Sequence, residues 1–146
     1  MIPEGSRSNL AQGSAIETHP GAPASERFAA PAPHTADVWV IELDRTASRP
    51  EVLAEDELGR ANRFHFPADR ERFIAGRTAL RSILGGYLGI APEKVAFAAA
   101  VNGKPRVCGG TMPLEFNLSH SGDMMLVAVT SDCPVGVDVE FMREDL

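Results

Sequence analysis

The chain has 146 residues, of which 44% are hydrophobic and 23% are charged, and its formal net charge is −6. This length and composition are typical of one globular domain with an ordinary hydrophobic core. The acidic balance argues against general nucleic-acid binding, which depends on a basic surface. No apolar run is long enough to cross a bilayer and no secretory signal pattern occurs at the N-terminus, so we expect no membrane partner.

The two cysteines, Cys108 and Cys133, do not form a C-x-x-C pair and do not belong to a Cys/His cluster. This usage favours free thiols over a disulfide or a metal site, and free thiols are typical of a reducing compartment. We therefore expect a cytoplasmic location.

Residues 1–36 are rich in proline and alanine, with five of the eleven prolines and eight alanines. No sustained apolar period runs through them, so burial cannot offset the entropy cost of ordering this segment. We predict a disordered extension over residues 1–36 and an ordered domain over residues 37–146.

The ordered part is predicted to begin with a β-rich strand over residues 38–43. Pro50 then gives a helix start signal and predicts a shorter helix over residues 51–64. Pro67 opens the longest helix, which Gly89 and the following Pro92 close. Its apolar residues recur at steps of three and four and so share one face: Phe73, Gly76, Leu80, Ile83, Leu84 and Tyr87.

Further strands are predicted in the second half of the chain, over residues 94–98, 114–118, 124–130 and 135–140. Asn102-Gly103 is a strong hairpin signal after the first of them. Short connections of this kind join antiparallel neighbours. The predicted fold is therefore α/β, of the α+β type: a short, mostly antiparallel sheet with one long and one shorter helix.

Residues 135–140 alternate valines with Gly136, Asp138 and Glu140, which is the period of a strand with one buried face. The two carboxylates therefore project from the same face, with Cα atoms about 6–7 Å apart. Two carboxylates together with waters and phosphate oxygens are a usual way to hold Mg²⁺. The alternative is a solvated strand face, which is the commoner reason for an isolated D-x-E.

Three motifs follow one another along the chain: Asn102-Gly103-Lys104-Pro105, Phe116-Asn117-Leu118-Ser119-His120-Ser121 and Gly136-Val137-Asp138-Val139-Glu140. In order and spacing they resemble the motif series of the surfactin-type 4′-phosphopantetheinyl transferases. The likeness runs from about residue 37 to residue 140 and covers the first half of that family. It implies that residues 37–146 form the amino-terminal half of a pseudo-twofold fold, whose second half carries a further metal-binding glutamate and a Lys-Glu-Ala helix motif.

The resemblance implies Mg²⁺-dependent transfer of the 4′-phosphopantetheine arm of coenzyme A to a serine of an acyl or peptidyl carrier protein. Asp138 and Glu140 would be the metal ligands, and the general base would come from the second half. The remaining positions would bind coenzyme A through its 3′-phosphate, adenosine and pyrophosphate parts, and they are, in that order, Arg60, then Lys104 and Pro105, then Ser119 and His120.

Each of these assignments has a structural alternative. The six arginines between positions 60 and 81 could attract phosphate or could be the solvated side of an amphipathic helix. Lys104 could be a solvated turn residue. Asn117 and Ser119 could instead bond loop backbone, with His120 as a cap. A serine hydrolase is rejected, because neighbouring side chains of an extended segment point to opposite faces and no G-x-S-x-G elbow occurs.

Two positions depart from the family pattern. Glu57 stands where a lysine is common, one turn before Arg60, and Phe73 stands where a small hydroxyl residue can occur. The second hypothesis for the chain is accordingly a catalytically incomplete or vestigial half-domain that binds coenzyme A and Mg²⁺ and needs another chain. Homodimerisation, or pairing with a carboxy-terminal half, would cover apolar surface that a single half exposes.

Overall fold

The computed structural model describes residues 7–10, 14–23, 27–99, 105–108, 114–131, 133–140 and 142. These residues form two α-helices, α1 (Glu55–Ala61) and α2 (Pro67–Leu88). The strands are β1 (Arg7–Leu10), β2 (Ser14–Pro20), β3 (Thr35–Glu42), β4 (Ala96–Ala99), β5 (Pro105–Cys108), β6 (Glu115–Ser121) and β7 (Met124–Thr130). Short 3₁₀ helices occupy Leu43–Arg45, Pro50–Val52 and Pro92–Lys94.

The main sheet has five strands in the order β1-β2-β3-β7-β6, and β4 and β5 form a separate two-stranded sheet. All neighbours are antiparallel except β2 and β3, which run parallel. A two-residue turn joins β6 to β7, and its first residue, Gly122, has a φ of 56°. A positive φ at that position is what a type II′ hairpin turn requires, and glycine adopts it without strain.

Helix α2 confirms the longest predicted helix and has the ends that its sequence predicts. Pro67 is the first residue, where its missing N–H has no helical partner to lose. Gly89 ends the helix in the left-handed region, at φ 68°, and the N–H of Ile90 donates to the carbonyl oxygen of Gly85 at 3.1 Å. A Cβ on Gly85 would lie 2.7 Å from the carbonyl oxygen of Ile90, so the chain reversal needs glycine there.

The hydrophobic core lies where α2 packs on one face of the five-stranded sheet. Its largest side chains with no appreciable exposure come from β3, α2 and β7: Ile41, Leu80, Ile83, Leu84, Val127 and Val129. Burying a side chain of this size contributes about 1.5–3 kcal/mol. The fold class is the predicted one, with two helices and a mostly antiparallel sheet.

The helix predicted over residues 51–64 is shorter and interrupted. A 3₁₀ turn over Pro50–Val52 comes first, Leu53 is extended, and α1 begins only at Glu55. Val52 and Leu53 are both buried in a small second cluster with Ile74 of α2. The backbone N–H groups of Val52 and Leu53 donate to carbonyl oxygens three residues earlier, and the extended conformation of Leu53 ends this turn, so the helix does not continue into α1.

Strands β1 and β2 lie within the segment predicted to be a disordered extension, and for these residues that prediction is wrong. β2 pairs in parallel with β3 over six residues, from Ala15 opposite Thr35 to Pro20 opposite Val40. Proline has no backbone N–H to donate to a neighbouring strand. The only proline of β2 is its last residue, so the other residues of β2 keep their N–H donors. Hydrogen bonding to the well-buried β3 orders β2, although the sequence of β2 shows no sustained apolar period. The boundary at residue 37 stays a prediction.

Residues 135–140 were predicted to be a strand that closes the meander, and this prediction is also wrong. The segment is extended but has no ladder partner among the described residues. Side chains of β6 hold it instead: the backbone N–H of Val137 donates to Asn117 Oδ1 at 2.8 Å, and that of Val139 donates to Ser119 Oγ at 3.1 Å. The predicted alternation is retained, since the valines are half-buried and the intervening residues are exposed.

Three smaller predictions have mixed outcomes. Cys108 and Cys133 are both exposed and free, as predicted. The strand expected over residues 94–98 begins later, at Ala96, because a 3₁₀ turn occupies Pro92–Lys94. The Asn102-Gly103 turn lies outside the described residues. Within the described part of the chain, no helix is long and apolar enough to cross a membrane.

Candidate functional site

A cavity of about 310 Å³ opens between the ends of α1 and β6 and the first half of α2. Its apolar floor includes Phe73 and Leu118, and its polar rim includes Arg60 and His120. Arg60 is the next-to-last residue of α1, and His120 is the next-to-last residue of β6. The two predicted residues therefore reach one cavity from different elements.

Arg60 is the cavity arginine best placed to meet an anion. Its guanidinium lies 5.2 Å from the centre of the Phe73 ring, and it makes no ion pair with any residue in the described part of the chain. Stacking on an aromatic ring fixes the orientation of a guanidinium while leaving its donors available. Phe73 thus has a positive role at a position where the family pattern allows a small hydroxyl residue.

Arg72 and Arg77 also line the cavity, but carboxylates already occupy them. The Arg72 guanidinium bonds Asp123 at 2.8 Å and Asp69 at 3.2 Å, and the hydrogen bond to Asp123 raises the pKa of Arg72. Arg77 bonds Glu57 at 2.5 Å. Of the other three members of the arginine-rich stretch, Arg63 and Arg70 are exposed and Arg81 is buried. The stretch is therefore partly a cavity lining, partly a buried ion-pair network and partly a solvated helix side.

Glu57 has a structural role that sequence reasoning missed. Its carboxylate is buried and accepts hydrogen bonds from Arg77, from Arg81 and from the backbone N–H of Ala54. Burial alone would raise the pKa of Glu57, but these hydrogen bonds outweigh it and hold the pKa below its usual value. The i, i+4 spacing of the two arginines on α2 was the sequence signal that could have revealed a shared partner.

Arg81 extends this network to the chain that follows α2. It donates to the carbonyl oxygens of Pro92 at 3.1 Å and of Val95 at 2.7 Å, and its side chain is 3% exposed. Glu57 therefore joins α1 to α2 and, through Arg81, to the start of β4. A lysine at position 57 would place a third cation beside two arginines, so the departure from the family pattern has a physical cause in this chain.

Ser119 and His120 project from opposite faces of β6, as predicted for neighbouring residues of a strand. His120 lines the cavity. Ser119 lies against the 135–140 segment, where its hydroxyl accepts the N–H of Val139 and donates to Asp138 Oδ1 at 3.2 Å. The structure thus brings Arg60 together with His120, and Ser119 together with Asp138.

Asp138 and Glu140 are both exposed and lie two residues apart on the extended 135–140 segment. They offer only oxygen donors in a place open to water. This donor set fits Mg²⁺, which prefers oxygen ligands and keeps part of its hydration shell. Ser119 orients the Asp138 carboxylate through one of its oxygens, a support of the kind that ligating carboxylates commonly have.

The motif that the resemblance assigns to adenosine contact is only partly within the described residues. Lys104 lies outside the described residues. Pro105 is exposed at the start of β5 and does not line the cavity with Arg60 and His120. Within the same strand, Arg106 bonds Glu115 of β6 at 3.1 Å, so β5 lies beside the strand that carries Ser119 and His120.

The comparisons with known proteins agree on one family. A family model described as "4'-phosphopantetheinyl transferase, N-terminal" matches residues 38–132. The 4′-phosphopantetheinyl transferase HetI of Nostoc sp. is 48% identical over 113 residues, which cover 73% of this chain and 47% of that protein. A 4′-phosphopantetheinyl transferase of Bacillus subtilis is 30% identical over 113 residues, covering 73% of this chain and 49% of its own length.

A putative 4′-phosphopantetheinyl transferase of Synechocystis sp. is 30% identical over 108 residues, covering 72% of this chain and 44% of its own length. The chain thus spans about half the length of the curated relatives it matches. The matched family region contains most of β3, both helices, the cavity and the Ser119-His120 pair. The chain belongs to the 4′-phosphopantetheinyl transferase family, and its matched region is the amino-terminal part of that family.

Proposed function

We propose that this chain forms the coenzyme A-binding and Mg²⁺-binding half of a surfactin-type 4′-phosphopantetheinyl transferase. The reaction is the transfer of 4′-phosphopantetheine from coenzyme A to a serine hydroxyl of an acyl or peptidyl carrier protein. The hydroxyl oxygen attacks the β-phosphorus, the bond to the leaving 3′,5′-ADP breaks, and the serine proton passes to a general base. We place that base in the second half of the family fold.

One observation carries the proposal: consecutive residues of β6 support two sites that this reaction needs. His120 faces the cavity that Arg60 also lines, and Ser119 holds the carboxylate of Asp138. Coenzyme A carries phosphates at two separated places, its 3′-position and its pyrophosphate. A strand with an anion-binding face and a carboxylate-bearing face suits a ligand that must meet cations at one end and a metal at the other.

Within this arrangement we assign the 3′-phosphate to Arg60, the adenosine to Lys104 and Pro105, and the pyrophosphate to Ser119 and His120. Arginine suits a phosphate because its planar donors match the phosphate oxygens. An imidazole N–H donates to phosphate oxygens and so fixes their position. The hydroxyl of Ser119 has one proton, which it donates to Asp138 in this structure, so binding the pyrophosphate would require that proton to turn to a phosphate oxygen.

Asp138 and Glu140 would hold the Mg²⁺. When bound, the ion supplies Lewis-acid neutralisation of the pyrophosphate charge. The part of this chain is to present the two carboxylates on one side of an extended segment, which the side chains of Asn117 and Ser119 hold against β6.

A matched pair of arginine variants tests the phosphate assignment. Arg60→Ala removes a guanidinium from the cavity, whereas Arg63→Ala removes an exposed guanidinium one turn further on that does not line it. A hydrogen bond to a charged group is worth about 1.5–3 kcal/mol, so Arg60→Ala should weaken coenzyme A binding about 10- to 150-fold. Isothermal titration of the full chain with coenzyme A in Mg²⁺ measures this. Equal losses in the two variants would contradict the assignment.

Transfer itself is measured by labelling a carrier protein with a fluorescent coenzyme A conjugate, with and without Mg²⁺. Metal-dependent labelling that Asp138→Asn abolishes, but that the exposed Glu93→Gln control retains, supports an active transferase. Coenzyme A binding without labelling supports the alternative, a half-domain that needs another chain to complete the site. Absence of both binding and labelling overturns the proposal.

A further inference from the structure

Outside the proposed site, Glu17, His19 and Asp37 each bring one possible metal-ligand atom to a common place. These three atoms all lie within 4.8 Å of one another. Glu17 and His19 are alternate residues of β2 and so share a face, and Glu17 is the register partner of Asp37 on β3. The parallel pairing of β2 with β3, which sequence reasoning did not foresee, is what assembles the cluster.

The His19–Asp37 contact has the separation of two ligands rather than that of a hydrogen bond. His19 Nε2 lies 3.6 Å from Asp37 Oδ1, which is too long for a side-chain hydrogen bond. Nε2 is nevertheless a buried atom that finds no hydrogen-bond partner among the residues that the structure describes. Neighbouring ligand atoms of a tetrahedral zinc site, at bond lengths of 2.0–2.2 Å, are about 3.4 Å apart. The observed separation is close to that value.

The surroundings hold both side chains in orientations suited to ligation. The imidazole of His19 stacks on the indole of Trp39, with ring centres 4.4 Å apart and an angle of 21° between the planes. The Tyr87 hydroxyl donates to Asp37 Oδ2 at 2.6 Å, which leaves Oδ1 facing His19. Trp39 Nε1 in turn donates to the Tyr87 oxygen at 3.0 Å.

The tyrosine is a support that its own neighbours hold in place. Trp39 Nε1 donates to the Tyr87 oxygen, and the hydroxyl of Tyr87 is directed to Asp37. Partners of this kind, which hydrogen-bond the second oxygen of a ligating carboxylate, are typical of metal sites.

We propose that Glu17, His19 and Asp37 bind a zinc ion that ties β2 to β3. One imidazole nitrogen with two carboxylate oxygens suits Zn²⁺ better than Mg²⁺ or Ca²⁺, which prefer oxygen ligands alone. Three protein ligands leave the fourth position to water. The proposal is independent of the proposed function, since β3 and β7 separate β2 from β6, a distance of about 14 Å at the usual strand spacing.

Zinc binding is measured on the full chain after removal of metals with a chelator. Equilibrium dialysis against ZnCl₂ is carried out with millimolar Mg²⁺ present. The Mg²⁺ competes for Asp138 and Glu140, so that Zn²⁺ bound there does not contribute to the measured binding. We expect one bound Zn²⁺ per chain. In His19→Gln the affinity should fall at least tenfold, whereas His65→Gln, which removes an exposed imidazole from the loop between α1 and α2, should bind as the native chain does.

Two further variants separate zinc ligation from a simple histidine–carboxylate ion pair. Asp138→Asn should leave the Zn²⁺ affinity unchanged. Tyr87→Phe keeps all three ligands but removes the hydrogen bond to Asp37, and it should weaken Zn²⁺ binding about 10- to 100-fold. Zn²⁺ at a hundredfold excess over its dissociation constant should raise the thermal midpoint of the native chain by about 5–15 °C.

That stabilisation should be absent in His19→Gln. Hydrogen exchange supplies a local readout, because zinc should slow exchange of the β2 amides. The proposal is overturned if the native chain binds no Zn²⁺, if His19→Gln binds it as tightly as the native chain, or if His65→Gln loses binding to the same extent. A His19→Gln destabilisation that is the same with and without Zn²⁺ would assign the cluster to an ion pair instead.

Discussion

Replacing Glu57 by glutamine is expected to destabilise the fold without disturbing its surface. The carboxylate is 5% exposed, and the side chain of its partner Arg81 is 3% exposed. Glutamine is almost the same size and can still accept the N–H of Ala54, but it leaves the guanidinium of Arg81 without its counter-charge. Removing one member of a buried ion pair costs about 3–5 kcal/mol.

The cost is measured by urea unfolding followed by far-ultraviolet circular dichroism. With a urea dependence of about 2 kcal/mol per molar, a loss of 3–5 kcal/mol lowers the midpoint by about 1.5–2.5 M. Glu55→Gln is the matched control, because Glu55 is exposed in the same first turn of α1. It loses only an interaction with the helix dipole, worth about 0.3–1 kcal/mol.

Lowering the pH should reduce the difference in the free energy of unfolding between the native chain and Glu57→Gln. The folded pKa of Glu57 is below its ordinary value of 4.5, so its contribution to the free energy of unfolding is complete above that pH. The contribution is lost as the pH falls through the folded pKa, whereas glutamine has no proton to bind. The reasoning is refuted if Glu57→Gln costs less than 1 kcal/mol at pH 7, or if the difference between the two proteins widens on acidification.

Two further predictions concern the end of α2 and the 135–140 segment. Gly85→Ala should lower the free energy of unfolding by about 1–3 kcal/mol, because the added methyl group meets a backbone oxygen at 2.7 Å. Gly59→Ala, in an open part of α1, should raise it by about 0.5–1 kcal/mol. Thermal unfolding of the two variants measures the difference. Asn117→Ala should speed amide exchange in residues 135–140 and weaken Mg²⁺-dependent coenzyme A binding, with the folded core unchanged; unaltered exchange there would show that Asn117 does not hold the segment.

Elements with strong local signals were predicted well. The start of α2 follows from Pro67, its end from Gly89, and its buried face from apolar spacing. Strand β7 occupies the predicted residues 124–130, since a continuous apolar run bounded by polar residues has few other solutions. Proline, glycine and apolar periodicity act within a few residues of themselves, so the sequence alone is enough to interpret them.

At the candidate site, the faces on which neighbouring residues lie were predictable, but the arrangement of distant segments was not. His120 and Ser119 were expected on opposite faces of one strand, and the structure agrees. The carboxylate segment kept its predicted alternation but not its strand pairing, because side chains of β6 bind its backbone. Which acceptor a backbone N–H finds depends on what the fold places beside it, and no local pattern encodes that.

What the sequence by itself determined was the two helices, most strands of the main sheet, the family and its motif residues. What only the tertiary structure decided was the set of pairings between distant segments: β2 beside β3, and Glu57 beside Arg81, 24 residues further along the chain. The former depend on backbone preferences and hydrophobic spacing that repeat within a turn or two. The pairings between distant segments depend on burial, because a charge or a strand edge acquires its partner only after the core has closed around it.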